Sequence, residues 1–338
     1  MEFAKFVKRL DHIFKISLAE SWDNVGLLIQ PSSATIIKRI FLTNDLTEPV
    51  LNEAISNGAD FIIAYHPPIF RPFKRLNQNS AKERIVLKCI ENKIAVYSPH
   101  TALDAVSGGL NDWLLSPFGI FRFNYVNNYQ ILSIRSRLTG QNYLGIHPQS
   151  PSLKTDHFRN IALKIMSLYG QMSEVTVTGD APKCLDMKLG DSVVFSPDEG
   201  AGRIALLNEG HTINDVVESF KKLLDTSLLK VALGYGKTFD SPVSALAVCA
   251  GSGGSMFTSE PMALVADLLF TGEASYHDQL DAVSRGSTII TAGHSVSERG
   301  YLAQRLKPWL EKEIAALTDA QIPIDISSKD AEPGIYVC

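Results

Sequence analysis

The sequence predicts an α/β protein of two structural units, on three observations. Short apolar runs alternate with amphipathic segments in both halves of the chain, the pattern of helices layered on sheets. Between those halves, from Tyr125 to Glu199, the text becomes richer in Ser, Pro, Asn and Gln, which reads as a smaller inserted or appended lobe of α+β type. At 338 residues the chain is too long for one simple core. The expected divisions are 1–124, 125–199 and 200–338.

The elements follow in order. Phe3, Phe6, Val7, Leu10 and Phe14 recur at helical spacing, so residues 2–16 form an amphipathic opening helix. Residues 38–43 read as a strand, followed by a helix that Thr47 caps and Gly58 ends. Phe61–Ala64 is a short apolar run of the buried-strand kind. Ser80 and Glu83 fit the capping box, in which each side chain satisfies a backbone N–H of the other's residue, at the head of a helix over 81–92. Ile94–Tyr97 is the next strand. The middle lobe offers a loop at Gln149-Ser150-Pro151-Ser152 and an amphipathic helix over Phe158–Tyr169. Beyond Gly200 the alternation resumes, with a helix over Asn214–Leu224, a strand over Val243–Ala250 and an apolar segment over Met262–Phe270. Ser275 and Asp278 cap a helix ending at Gly286, Ser287–Ala292 is a strand, and Glu298 opens a long helix that Pro308 kinks. No internal repeat or low-complexity stretch interrupts this order.

Composition narrows the function classes. With 45% hydrophobic and 20% charged residues the chain can bury a full core, and no apolar run approaches the roughly 20 residues of a membrane span. The opening Met1-Glu2-Phe3-Ala4-Lys5-Phe6 lacks the layout of a secretory signal, so secretion is not expected. Cys89, Cys184, Cys249 and Cys338 show no CxxC spacing and read as reduced thiols of a cytosolic type of compartment. A net charge of −4 and a pI near 6.1 give no global pull toward nucleic acid. The basic run Phe70-Arg71-Pro72-Phe73-Lys74-Arg75 reads first as a solvated loop.

Polar residues fall where predicted strands end. His66 follows one strand, His100 and Asp104 another, Glu273 an apolar segment, and His294 with Glu298 a fourth. In α/β sheets the carboxyl ends of strands are where ligands bind. His100 and Asp104 are four apart, as are His294 and Glu298, so each pair faces one way on a helical turn. Imidazole and carboxylate together suit zinc, iron, manganese or nickel. Spacing by itself leaves the commoner alternative open, that of hydrogen-bonded structural histidines and surface i,i+4 pairs. Weaker features have plainer readings. Gly251-Ser252-Gly253-Gly254-Ser255 reads as a tight bend before it reads as a phosphate loop. His277 sits in the first turn of a helix, Trp22 and Trp113 read as core or interface residues, and Asp23-Asn24 as an Asx turn.

The motifs are more specific. Ala19-Glu20-Ser21-Trp22-Asp23-Asn24-Val25-Gly26-Leu27, Ala64-Tyr65-His66-Pro67-Pro68-Ile69-Phe70, His100-Thr101-Ala102-Leu103-Asp104 and Gly293-His294-Ser295-Val296-Ser297-Glu298 occur in that order. Together they resemble the Nif-three-like family, also labelled GTP cyclohydrolase I type two. Tyr65-His66-Pro67-Pro68 and Ser98-Pro99-His100-Thr101-Ala102 look like its eukaryotic branch. The resemblance covers about residues 1–120 and 200–338. It implies a discontinuous core of mixed sheets and helices whose two ends pack together around a dinuclear metal centre. Carried over residue by residue, the metal ligands are His66, Asp104, His294 and Glu298, with His100 lining the site. Where bacterial relatives have two adjacent histidines this chain has Tyr65-His66. A neutral phenol, with a reference pKa of about 10, is a poor ligand, so one ion is expected and a second position is weak, altered or empty. Hydrolysis assisted by such an ion would draw on Glu298 or His100 for proton transfer and on Tyr65 as a donor to an oxyanion.

Two functional classes stay open. One is a metal-dependent hydrolase of a nucleotide-like or phosphorylated small molecule. The other is a non-catalytic scaffold that binds transcriptional coregulators. In either case the resemblance implies a homo-oligomer, from dimer to hexamer, and the cysteine usage and opening segment point to the cytoplasm, with nuclear or mitochondrial residence also open.

Overall fold

The computed structural model describes residues 1–32, 34–118, 131–136, 142–148, 173–178, 200–207, 210–259 and 266–334, with backbone alone for 131–136, 142–148, 173–178, 206 and 259. The expected loop at 149–152 and helix over 158–169 lie outside the described residues. The chain divides into two compact units, Met1–Leu103 with Glu298–Cys338, and Asp104–Ser297. The lobe divisions expected at 124/125 and 199/200 both fall within the second unit.

The first unit is a five-stranded sheet covered on both faces. Strands β1 (Gly26–Ile29), β2 (Ile40–Thr43), β3 (Phe61–Ala64) and β4 (Ala95–Ser98) stand in the order β1-β4-β3-β2, and the strand Ile324–Ile326 from the far end of the chain joins outside β2. β2, β3, β4 and the terminal strand run parallel, whereas β1 is antiparallel to β4. Residues of β2, β3 and β4 are buried on both sides, as the central strands of a parallel sheet must be. Phe41, Ile62, Ala64 and Val96 pack with Val50, Leu51 and Ala54 of the helix Glu48–Ser56 and Ile85, Val86 and Cys89 of the helix Ala81–Glu91. The alternate residues Phe61 and Tyr97 meet the other helical layer. There the Phe6 ring stands 5.3 Å from Phe61, and Phe14 lies 6.1 Å from Tyr97 and 5.6 Å from Trp309. Full burial of one such aromatic side chain is worth roughly 1.5–3 kcal/mol.

Local signals explain the helix ends. The helix Phe3–Phe14 stops at Lys15, which is left-handed at φ 46°. Thr47 accepts a hydrogen bond from the Val50 N–H at the head of Glu48–Ser56, and the Ser80–Glu83 capping box is complete. After the helix Val296–Tyr301 the chain widens into a π-helical segment, Leu302–Leu306, before the helix Lys307–Ala315. The Lys307 N–H donates to the Leu302 carbonyl, an i→i−5 bond, one residue before Pro308, which has no N–H to donate. The predicted kink is therefore a π-bulge.

The second unit is built on an eight-stranded mixed sheet. Its strands are β5 (Ile131–Ser136), β6 (Asn142–Pro148), β7 (Ser173–Thr178), β8 (Gly202–Leu206), β9 (Lys230–Ala232), β10 (Ala245–Cys249), β11 (Leu268–Thr271) and β12 (Thr288–Thr291), in the order β7-β5-β6-β8-β10-β11-β12-β9. β10, β11 and β12 are parallel and buried, while β8 and β9 flank them antiparallel. The fold is thus mixed α/β with two mixed sheets, as the sequence predicts. Arg203 on β8 is wholly buried. Its guanidinium donates to Asp112 at 2.8 Å and to the carbonyls of Gly200, Gly202, Ala105 and Val106. A buried charge is tolerable only when paired and hydrogen-bonded in this way.

Candidate metal centre

In the first unit the loops after β2, β3 and β4 bring Asp45, His66 and His100 to the carboxyl edge of the sheet. Their backbones extend the strand pairing, with the Tyr65 N–H donating to Thr43 O at 2.9 Å and the His66 N–H to Asn44 O at 3.0 Å. The side chain of His66 is bracketed by two carboxylates. Its Nδ1 is 2.9 Å from Asp45 Oδ1, and its Nε2 is 3.5 Å from Glu298 Oε2. Glu298 sits in the helix Val296–Tyr301 with only 2% of its side chain exposed, and Asn44 Nδ2 donates to its Oε2 at 3.0 Å. Burial would lower the His66 pKa, but Asp45 and Glu298 outweigh it and raise the imidazole to about 10. Burial likewise works against the charge of Asp45, and His66 more than offsets it, so the Asp45 pKa lies below its ordinary value. The two carboxylates thus favour the protonated form of the His66 imidazole.

His100 repeats the arrangement. Its Nδ1 is 2.7 Å from Asp23 Oδ1, and the Asp23 side chain is entirely buried. Thr101 donates to the other oxygen of Asp23 from both its backbone N–H and its hydroxyl. Burial opposes the Asp23 charge, but His100 and Thr101 hold the carboxyl below its usual pKa. His100 itself has φ 32°, in the left-handed region, a strain of roughly 1–3 kcal/mol that a non-glycine residue carries only where its surroundings fix it. Asp23 Oδ1 also accepts from the N–H of the next residue, Asn24, at 2.8 Å, whereas the Asx turn expected at Asp23-Asn24 takes the N–H two residues on; the carboxylate instead serves His100 and Thr101. Tyr65 is 2% exposed, with its ring 4.9 Å from His66 and 5.6 Å from His100, while the two imidazoles stand 5.3 Å apart.

The second unit carries a histidine–carboxylate pair of its own. His294 follows β12 and Glu273 follows β11, and His294 Nδ1 is 3.0 Å from Glu273 Oε2. Glycines make this turn possible. Gly293 has φ 99°, and a Cβ on Gly272 would fall 2.6 Å from the Gly251 carbonyl and 2.9 Å from that of Gly293. Asp104 is half-buried in the short helix His100–Ala105, and its carbonyl accepts from Asn111. All three histidines therefore engage a carboxylate through Nδ1, the contact that orients metal-ligating imidazoles and leaves Nε2 as the donor. The sequence does not by itself mark Asp45 and Asp23 as partners of the histidines. Asp45 sits just past a predicted strand, where the other site residues sit, so the same positional rule would have found it.

The donors of the first unit fit a divalent ion. Two donors about 2.1 Å from a tetrahedral ion stand about 3.4 Å apart, close to the 3.5 Å between His66 Nε2 and Glu298 Oε2. Beside them Asn44 is wholly buried, and its Oδ1 has no hydrogen-bond partner among the described residues. An orphaned buried carbonyl oxygen is unfavourable unless a cation or a donor completes it. His66 and Glu298 could thus hold a metal ion.

Other candidates resolve differently. Trp113 is buried as expected, but Trp22 is 59% exposed and is not a core residue. His277 lies on the surface beside Tyr276. A Cβ on Gly253 would fall 2.6 Å from that of Cys249, and one on Gly254 would fall 2.7 Å from Ala274. Close packing thus accounts for both glycines.

Comparison with known proteins gives one consistent result. The profile of the Duf34/NIF3 (NGG1p interacting factor 3) family matches residues 1–333. NIF3-like protein 1 of Bos taurus is 35% identical, over 98% of this chain and 92% of its own length. NGG1-interacting factor 3 of Saccharomyces cerevisiae is 29% identical, over 91% of this chain and 90% of its own. Among solved structures, Staphylococcus aureus protein SA1388 superposes with a TM-score of 0.67 at 24% identity, covering 100% of this chain and 99% of that one, a likeness of fold.

Proposed function

The chain belongs to the Duf34/NIF3 family, and on that premise we propose that it is a metal-dependent hydrolase of a nucleotide-like or phosphorylated small molecule. The observation that carries this reading is the His66–Glu298 pair, 3.5 Å apart, with Asp45 fixing the far nitrogen of the imidazole. His66 and Glu298 hold the ion. Asp104 and His294 complete the ligand set, as the family motifs imply. When bound, the ion supplies Lewis acidity to the substrate and to water. His100, oriented by Asp23, carries the proton between water and leaving group, and Tyr65 donates a hydrogen bond to the developing oxyanion. With a phenol at Tyr65 where bacterial relatives carry an imidazole, the site holds one ion firmly and a second weakly or not at all.

The second reading is an oligomeric scaffold for transcriptional coregulators. It is favoured by the name of the yeast relative, NGG1-interacting factor 3, and does not require turnover. The two readings separate on metal analysis of the purified protein joined to a hydrolysis screen, with Asp104→Ala and His294→Ala as variants. The hydrolase reading expects both variants to lose metal and turnover together. Full metal content in both removes the proposed ligand set. Turnover absent from a fully metallated wild type, with coregulator capture intact, leaves the scaffold.

A further inference from the structure

Beside His100 lie two exposed aromatic rings that no packing requirement explains. Trp22 is 59% exposed and Phe70 39% exposed. Their centroids stand 5.9 Å apart in an edge-on arrangement, and each meets His100 edge-on, Trp22 at 6.1 Å and Phe70 at 6.3 Å. The two come from different loops, which are tied together where Asn24 Nδ2 donates to the Ile69 carbonyl. On the Trp22 side the loop is also fixed by the buried Asp23 network with His100 and Thr101. The pair is therefore preformed on a rigid base. Other aromatics of the chain are more exposed, Tyr235 and Tyr276 among them; what sets this pair apart is that its two rings adjoin each other and both meet His100.

We propose that Trp22 and Phe70 form a stacking platform for the flat heteroaromatic ring of a small-molecule ligand whose polar end reaches His100 and His66. The inference rests on the hydrolase reading above and narrows its substrate to molecules that carry such a ring. Continuity supports this occupant: the platform runs into His100, and His100 stands 5.3 Å from His66, so one molecule of nucleotide size reaches both. Charge agrees, because Arg71, Lys74 and Arg75 are exposed on the loop that carries Phe70 and suit a phosphate. Size argues against a protein partner, since a stable interface buries roughly 1,200–2,000 Å², far beyond what two partly exposed rings contribute. Base–aromatic stacking is tolerant of base identity, so the platform selects for a ring rather than for one base.

Calorimetric titration of the metal-replete protein with adenosine 5′-monophosphate, guanosine 5′-monophosphate and ribose 5-phosphate tests the proposal, alongside metal content and thermal melting of each variant. Both nucleotides are expected to bind at least about tenfold more tightly than ribose 5-phosphate. Trp22→Ala removes that preference, Trp22→Phe retains most of it, and both keep the metal and the melting temperature of the wild type. Equal affinity for the nucleotides and ribose 5-phosphate overturns the platform while leaving the metal reading intact. Ring preference lost in Trp22→Ala from a protein that holds no metal overturns the metal reading and keeps the platform. A single-stranded DNA octamer binding more tightly than either mononucleotide overturns the small-molecule assignment. So does an oligomer that dissociates on Trp22→Ala without any nucleotide preference in the wild type.

Discussion

At the scale of single residues, three carboxylate–histidine pairs set how the candidate site is oriented. Asp45, Asp23 and Glu273 each take the Nδ1 of one histidine, so each imidazole is turned with Nε2 free of that partner. Replacing Asp45 by Ala should therefore loosen metal without removing a proposed ligand. A loss of about 10–100-fold in affinity by competition with a chromophoric chelator is expected, the range for an outer partner of a ligating histidine. An unchanged affinity would mean that Asp45 does not orient His66. Arg203 illustrates the other use of buried charge. Arg203→Met removes the cation paired with Asp112 and the donor to four carbonyls, so urea unfolding should show a loss of about 3–5 kcal/mol. These residues differ in how far the sequence exposed them. His66, His100 and His294 stand out because they follow apolar strand runs, and Asp23 was visible only as half of a turn. Arg203 gave no signal, since an arginine inside Gly202–Leu206 looks the same whether its side chain turns outward or inward.

At the scale of elements, short capping signals did most to make the fold legible. The boxes at Ser80–Glu83 and Ser275–Asp278 are where the sequence places them, because the reciprocal bonds involve only residues three apart. Ser80→Ala is expected to lower stability by about 1 kcal/mol in denaturant unfolding, with little effect on metal content. Elements set by distant partners were not legible. β1 is only four residues long and pairs antiparallel to β4, whose sequence lies far along the chain. The terminal strand Ile324–Ile326, directly after Pro323, is a strand only because β2 offers it an edge. At Leu302–Leu306 the sequence predicts a kink through Pro308, but the form of the π-bulge depends on which carbonyl the Lys307 N–H reaches.

At the scale of the whole molecule, the first unit is closed by contacts between the two ends of the chain. Arg9 pairs with Glu313, Arg39 with Asp325, and the Asn44 N–H donates to Asp330. Glu53 on the helix Glu48–Ser56 takes the hydroxyls of Ser327 and Ser328 and the N–H groups of Ser328 and Lys329. Burial opposes its charge, but these donors outweigh it and lower the Glu53 pKa from an ordinary 4.5 to about 2. The folded state thus binds the Glu53 proton less readily than the unfolded chain. Stability from this contact is full above pH 4.5 and is lost as pH falls toward about 2. Glu53→Gln should flatten that part of the pH dependence of thermal unfolding, at a cost on the order of 1 kcal/mol near neutrality. An unaltered acid profile would remove Glu53 as the clasp. The most direct test of the central claim is elemental analysis of the wild type and of His66→Ala after equilibration with zinc, iron, manganese and nickel. About one tightly held ion per chain in the wild type, absent from a His66→Ala protein that still melts cooperatively, is the predicted result. Equal metal in both proteins, or none in the wild type, would contradict it.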